Sequence, residues 1–255
     1  MKTAQVLIVG NEILSGRTQD TNTQFLAKAL SLRAVRLTGV RIVSDDIVQI
    51  VKAIRTMRKL ADFLFVCGGI GGTPDDKTRE ATAQAFDVPL VRNPQAESIL
   101  KTYYGDRANE ARLRMADLPQ GCELINNPIT RAPGIKIKNT YVFAGIPKLV
   151  EAMFASVQRD FAGGNPLFER EAFFDFGEGD LTPFMEIIDK KYPTVELGSY
   201  PQIDISQFSL PFERRRFRTQ IVIRGQDAGD VEKAFEEFLA LVENGVSAKP
   251  SGKSI

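Results

Sequence analysis

Apolar residues fall in short continuous runs, separated by stretches of helical period, and this alternation sets the expected order of elements. Residues 4–9 form a buried-type strand. A polar turn over 10–16 follows it, and then Phe25, Leu26, Ala29 and Leu30 recur at helical spacing, with Asp20 or Thr21 placed to cap that helix. Residues 35–43 read as a second strand. Ser44 is placed to cap a helix whose Ile47, Ile50, Val51, Ile54 and Met57 share one face. Residues 63–66 are apolar throughout, as in a sheet covered on both sides, and a glycine-rich loop and a helix over 77–86 come next.

Beyond Pro94 the pattern is helical over 95–115, broken near Gly105. Residues 126–128 and 132–134 are turn-rich. Residues 135–137 and 140–143 can pair as a hairpin across Lys138-Asn139, and Pro147 opens a helix reaching to 161. Strand–helix alternation of this kind predicts an α/β fold, a mostly parallel sheet with right-handed crossovers. The small, flexible run Ala162-Gly-Gly-Asn-Pro166 marks a boundary. After it come strands over 171–176, 195–200 and 218–224 and helices over 182–190 and 228–243, a smaller α+β unit. The expected organisation is a first domain over 1–161, a linker over 162–170, a second domain over 171–244 and a frayed tail over 245–255.

Charge and composition narrow the function. The chain carries 33 basic and 32 acidic side chains, a net charge of +1, which gives no electrostatic footprint for nucleic acid or an anionic membrane. Two cysteines, Cys67 and Cys122, are too few for a disulfide framework. The N-terminal apolar run is too short for a signal peptide, no run approaches the length of a membrane span, and a cytoplasmic location is expected. Histidine is absent altogether. That removes the commonest general base and every Ser-His-Asp or Cys-His arrangement, leaving carboxylates, Lys, Arg, hydroxyls or a metal held by oxygen.

The loop Cys67-Gly-Gly-Ile-Gly-Gly-Thr-Pro-Asp-Asp-Lys-Thr78 follows a strand and precedes a helix. Glycines there let backbone amides approach an anion, and the helix N-terminus adds a favourable dipole. Gly68, Gly69, Gly71, Gly72, Thr73 and Thr78 are therefore candidate phosphate-binding residues. Asp75 and Asp76 suit a phosphate carried with a divalent cation; the other reading is a turn whose aspartates cap the next helix. The turn over 10–16 leaves a strand at the same sheet edge, where ligands bind in open parallel sheets, so Gly10, Asn11, Glu12 and Ser15, with Asn22, can reach a shared pocket. Asp45 and Asp46 follow the second strand there, as metal ligands or as acids favouring the helix dipole.

Three further features are set aside. Ser251-Gly-Lys-Ser254 resembles the end of a phosphate-binding P-loop but lacks the strand, the helix and the first glycine. Arg214-Arg-Arg216 reads as a solvated turn, and Cys67 as a small apolar residue at a strand end.

Three stretches occur in one order: Gly10-Asn-Glu-Ile-Leu-Ser-Gly16 with Asp20 and Asn22, then Gly68 to Thr78, then Asn126-Asn-Pro128 through Ala132-Pro-Gly134. Together they resemble the molybdopterin-binding (MoaB/Mog) domain, in the branch found in CinA, over roughly residues 3–160. Residues 171–243, with Phe176-Gly-Glu-Gly179 and Gly198-Ser-Tyr-Pro201, look like the small domain that follows it in CinA-type proteins. The nicotinamide-mononucleotide deamidase domain of CinA is not expected in a chain ending at Ile255.

The resemblance implies a three-layer α/β/α fold, homo-oligomerisation, and a pterin or nucleotide phosphate as ligand. In the CinA and FAD synthase branch it implies metal-dependent cleavage of nucleotide diphosphates such as ADP-ribose or FAD; in the Mog-type branch, molybdenum cofactor assembly, with molybdopterin as ligand. Asp76 matches the acid of the glycine-loop motif and Asp45 the acid after the second strand. The expected function is thus a pyrophosphatase with Asp76 and Asp45 as catalytic residues and Mg²⁺, Mn²⁺ or Co²⁺ held by Asp76, Asp45, Glu12 and Asp75. The alternatives are a binding protein without catalysis and a cofactor-assembly enzyme. This chain departs from the family pattern at Cys67 (usually Thr), Gly72 (often Pro), Thr130 (Gly), Ala144 (Pro) and Leu149, where the CinA branch carries Glu.

Overall fold

Strands that are apolar on both faces have to be covered on both faces, and the first part of the chain supplies them. In a computed structural model, β1 (Lys2–Val9) is followed by a single helical turn, α1 (Asn11–Leu14), and by α2 (Asn22–Ser31). Next come β2 (Val35–Val43), α3 (Ile47–Met57), β3 (Phe63–Cys67) and α4 (Thr78–Ala85). The chain continues through β4 (Leu90–Arg92), α5 (Pro94–Tyr104), α6 (Glu110–Leu113), β5 (Asp117–Pro119), β6 (Glu123–Ile125), β7 (Gly134–Ile137), β8 (Thr140–Phe143) and α7 (Pro147–Val157). The structure describes residues 1–161, 167–202, 204–210, 216 and 218–247, in two compact units, Met1–Gly164 and Asn165–Ile255.

The first unit holds a six-stranded sheet in the order β2-β1-β3-β8-β7-β6. Strands β2, β1, β3 and β8 run parallel, and β7 turns back antiparallel between β8 and β6. Every residue of β3 is buried, as its continuous apolar run requires. Helices flank the sheet, α2 packing with α7 and α3 with α4, to give three layers. Phe65, Tyr141, Phe154 and Phe161 form an aromatic cluster that joins β3 and β8 to α7 and the turn after it.

In the second unit β9 (Phe168–Phe174), α8 (Glu178–Lys191), β10 (Val195–Gln202), β11 (Arg218–Gly225) and α9 (Ala228–Ser247) form a three-stranded antiparallel sheet, in the order β10-β11-β9, with two helices. Its separate core includes Leu181, Ile188, Ile221, Ile223, Phe235 and Phe238. Among the described residues, no helix is long and apolar enough to cross a membrane.

The elements differ from the sequence pattern at several ends. The turn over 10–16 contains the helical turn α1, and β4, β5 and β6, each of three residues, are too short to show period two. Helix α3 is capped by Asp46, not Ser44: the Asp46 carboxylate accepts from the Gln49 amide at 2.9 Å. In α2 the Asp20 carboxylate accepts from the Thr23 amide at 3.1 Å. Strand β9 begins at Phe168, inside the expected linker, and α9 extends to Ser247, into the expected tail. Residues 162–166, Arg214, Arg215 and 251–254 lie outside the described residues.

Candidate functional site

Four parallel strands bring their carboxyl ends to one edge, so the loops that leave them converge. They border a cavity of about 540 Å³. Glu12 and Thr18 reach it from the loop after β1, Asp45 from the loop after β2, and Gly68, Gly69, Ile70, Gly71, Asp75 and Asp76 from the loop after β3. The loop after β8 and the start of α7 contribute Ala144, Gly145, Ile146, Pro147 and Leu149, and the turn-rich stretch contributes Asn127, Thr130 and Ala132. Val9, Tyr104 and Met115 complete the wall.

The glycine loop is stapled at both ends. The Gly68 amide donates to the Phe143 carbonyl at 3.1 Å, and the Thr78 amide donates to the Gly69 carbonyl at 2.9 Å. Gly68 has φ +108°, and a Cβ there would stand 2.1 Å from the Val9 carbonyl oxygen; Gly69 has φ +69°, and its Cβ would stand 2.3 Å from the Thr78 hydroxyl. Neither position admits another residue without moving its neighbour. Between the staples, the amides of Gly69, Ile70, Gly71 and Gly72 donate to no protein acceptor among the described residues. Successive unpaired backbone amides in a glycine loop are the groups that bind a phosphoryl oxygen.

Arg79, in the first turn of α4, is only 7% exposed, and its guanidinium donates to the carbonyls of Ile70 and Gly71, the latter at 2.5 Å. Burial pulls Arg79 below the ordinary arginine range, against the pull of Asp76 and Asp117. Arg79 lies outside the pattern of glycines and acids that marks the loop. One signal was available: a cation in a first helical turn opposes the helix dipole and needs a reason to be there.

The acids divide by task. Asp76 accepts from the Thr73 amide at 2.9 Å and from the Thr73 hydroxyl through Oδ2, and Asp45 accepts from the Asn11 amide at 2.8 Å through its own Oδ2. The Oδ1 atoms of both make no hydrogen bond among the described residues. Asp46, by contrast, is spent on capping α3. The Glu12 carboxylate lies against the Gly10 backbone, 2.6 Å from where a Cβ would stand. Asp75 is exposed, and the nearby Thr73 hydroxyl holds its carboxyl below the ordinary aspartate value.

Six of the other sequence candidates stand behind the wall. Gly10, Asn11, Ser15, Gly72, Thr73 and Thr78 do not line the cavity. Asn11 and Thr73 serve through their amides, and the Ser15 hydroxyl donates to the Glu12 carbonyl at 3.3 Å. Thr78 is fully buried, and Gly72 is packed so that its Cβ would meet the Ala111 carbonyl at 2.4 Å. Asn22 ties α2 to the loop after β8, its Nδ2 donating to the Gly145 carbonyl at 2.7 Å. Burial pushes the Cys67 thiol up, which leaves it inert as a nucleophile.

Among the described residues, no three carboxylate or thiol side chains gather into a self-sufficient metal centre. The donor set suits a different kind of site. Mg²⁺ is commonly held by one or two carboxylates together with substrate phosphate, and Asp45 and Asp76 each offer one oxygen while the other is fixed to the backbone.

Comparison with known proteins agrees with this geometry. Residues 5–162 match the family described as probable molybdopterin binding domain, and residues 166–250 match the FAD synthase middle domain. A protein of Thermoplasma acidophilum is 29% identical over 248 residues, covering 94% of each chain. A Caenorhabditis elegans protein named probable FAD synthase is 27% identical over 261 residues, 91% of this chain and 48% of its own. A crystal structure of the protein CinA from Thermoplasma acidophilum superposes with a TM-score of 0.60 at 34% identity, over 64% of this chain and 100% of that one. The chain therefore belongs to the molybdopterin-binding (MoaB/Mog) domain family, in its CinA-like form, followed by a region similar to the FAD synthase middle domain.

Proposed function

We propose that the first unit binds a nucleotide through its diphosphate and, with a divalent cation, hydrolyses the pyrophosphate bond. The observation that carries this reading is a convergence in one cavity: the amides of Gly69, Ile70 and Gly71, unpaired among the described residues, stand with the free carboxylate oxygens of Asp45 and Asp76. The amides bind and orient phosphoryl oxygens; Asp76 with Asp45 or Glu12 holds the cation, Mg²⁺, Mn²⁺ or Co²⁺. Such an ion would supply Lewis-acid polarisation of a phosphoryl oxygen and a more acidic bound water, chemistry that requires no histidine. Water adds to one phosphorus, the bridging P–O bond breaks, and two phosphomonoesters leave with release of a proton. The FAD synthase middle domain and the FAD synthase name of the nematode relative support a nucleotide ligand.

One observation favours a second reading, a binding protein for molybdopterin or a nucleotide without turnover. Leu149 is 8% exposed and places an apolar side chain in the cavity wall where the CinA branch carries an acid. Incubation with ADP-ribose and with FAD, each with Mg²⁺, Mn²⁺ or Co²⁺, separates the two. Cleavage to phosphomonoesters that is abolished by chelation supports hydrolysis. Absence of cleavage, with ligand binding that survives chelation, rejects it in favour of binding alone.

A further inference from the structure

The glycine loop has a buried cation behind it. Arg79 is 7% exposed, yet among the described residues its guanidinium makes no ion pair; the hydrogen bonds it forms go to two loop carbonyls, those of Ile70 and Gly71. A buried charge without a direct counter-charge costs stability, and its place in the first turn of α4 sets it against the helix dipole as well. Two penalties at one residue call for a compensating gain. The loop supplies the place for it. In a trans peptide the N–H points opposite to the C=O, so drawing the carbonyls of Ile70 and Gly71 onto Arg79 turns the amides of Gly71 and Gly72 away from it. Gly71 lines the cavity, and its amide donates to no acceptor among the described residues.

We infer that Arg79 is a positioning residue for phosphate: it sets the direction of the loop amides, and its charge is completed by the phosphoryl group that those amides bind. The inference rests on the phosphate-cradle reading above and adds its selectivity. A site built on a buried guanidinium favours a multiply charged anion, so pyrophosphate compounds bind more tightly than monoesters of the same size. Asp75 and Asp76, which would repel bare phosphate, are then opposed from the far side of the loop by a fixed positive charge.

The test uses the full chain, titrated calorimetrically with inorganic pyrophosphate and with ADP in the presence of chelator, over a series of salt concentrations. Arg79→Met removes both the brace and the charge; Arg79→Lys keeps the charge. Arg79→Met is expected to weaken pyrophosphate binding at least tenfold and to flatten its salt dependence. Its ligand-free melting temperature should stay near that of the wild type, because the loss of two hydrogen bonds is offset by removal of the buried charge. Arg79→Lys is expected to recover most of the affinity, which a purely structural brace would not predict. Wild-type affinity in Arg79→Met, or equal losses in the two variants, overturns the inference while leaving the cavity reading intact. Failure of the wild type to bind pyrophosphate, ADP, ADP-ribose or FAD overturns both.

Should Arg79→Met fail to fold, the wild type alone still decides. In ¹⁵N-labelled protein the amide proton resonance of Gly71 should move downfield on addition of pyrophosphate, and an unmoved resonance overturns the proposed orientation.

Discussion

The Asp45 carboxylate accepts the Asn11 amide at 2.8 Å, so an acid that follows the second strand fixes the loop that follows the first. Its neighbour Asp46 points its carboxylate elsewhere, to the Gln49 amide at the start of α3. Two adjacent aspartates thus have separable effects. Asp45→Asn keeps an acceptor for Asn11 and removes the charge; stability measured by urea denaturation should change by no more than about 0.5 kcal/mol. Metal-dependent cleavage of ADP-ribose should fall at least tenfold. Asp46→Ala should cost about 1 kcal/mol as a lost helix cap and leave cleavage and ligand affinity unchanged. Wild-type turnover in Asp45→Asn would remove Asp45 from the metal site.

Glycine substitutions separate backbone strain from close approach. Gly68 has both, a φ of +108° and a Cβ position 2.1 Å from the Val9 carbonyl oxygen. Gly68→Ala therefore has to displace β1, and about 3 kcal/mol or more of destabilisation is expected from strain and overpacking together. Gly16 has a φ of +71° with nothing within 4 Å of the Cβ position, so Gly16→Ala should cost only about 1 kcal/mol, the left-handed penalty alone. Equal urea midpoints for the two variants would contradict the packing at Gly68.

Much of this architecture was legible because burial on both faces leaves a continuous apolar run, as in β3, and because helices between β1, β2 and β3 imply parallel pairing. Strand β2 coincides with the expected residues 35–43, and the hairpin of β7 and β8 pairs Ile137 with Thr140 across Lys138-Asn139, as expected. The missed strands β4, β5 and β6 are three residues long, and no periodicity exists at that length. Within the site, glycines and acids announced themselves because few other roles suit them at strand ends. Tyr104, Met115 and Thr18 did not, since an ordinary residue reaches a cavity only through tertiary packing. The choice between Asp45 and Asp46 was likewise undecidable from spacing: it depends on which carboxylate meets the Gln49 amide.

Asp76 should behave differently from either of those acids, because its Oδ2 holds the turn that begins at Thr73. Asp76→Asn retains an oxygen for the Thr73 amide but cannot hold a cation as a carboxylate does. Its affinity for pyrophosphate in chelator should remain within about threefold of the wild type, whereas turnover with Mn²⁺ should be lost. Asp76→Ala removes the acceptor as well, and both binding and turnover should drop. Cleavage by Asp76→Asn at the wild-type rate would show that this carboxylate has a structural role only.

Leu149 offers the sharpest test of how the site departs from its relatives. It is 8% exposed in the same cavity wall as Glu12, Asp45, Asp75 and Asp76, so Leu149→Glu adds a carboxylate to a site already rich in them. Burial and like charge both raise the pKa of that new group. A carboxyl whose folded pKa is raised destabilises the protein as the pH climbs above its unfolded value of about 4.3, and the penalty is complete above the folded value. In chelator the variant should therefore melt below the wild type at pH 8, by the equivalent of about 1–3 kcal/mol, and close to it at pH 4.5. A divalent cation reverses the sign of the local field. Millimolar Mn²⁺ should restore much of the loss at pH 8 and raise the melting temperature of the variant more than it raises that of the wild type, since ligand binding to the folded state adds RT ln(1 + [L]/Kd). If the loss of this acid limits catalysis in the native chain, turnover of ADP-ribose should rise in Leu149→Glu with Mn²⁺ present. Equal Mn²⁺-induced shifts in the two proteins would place Leu149 away from the cation and return its role to core packing at the head of α7.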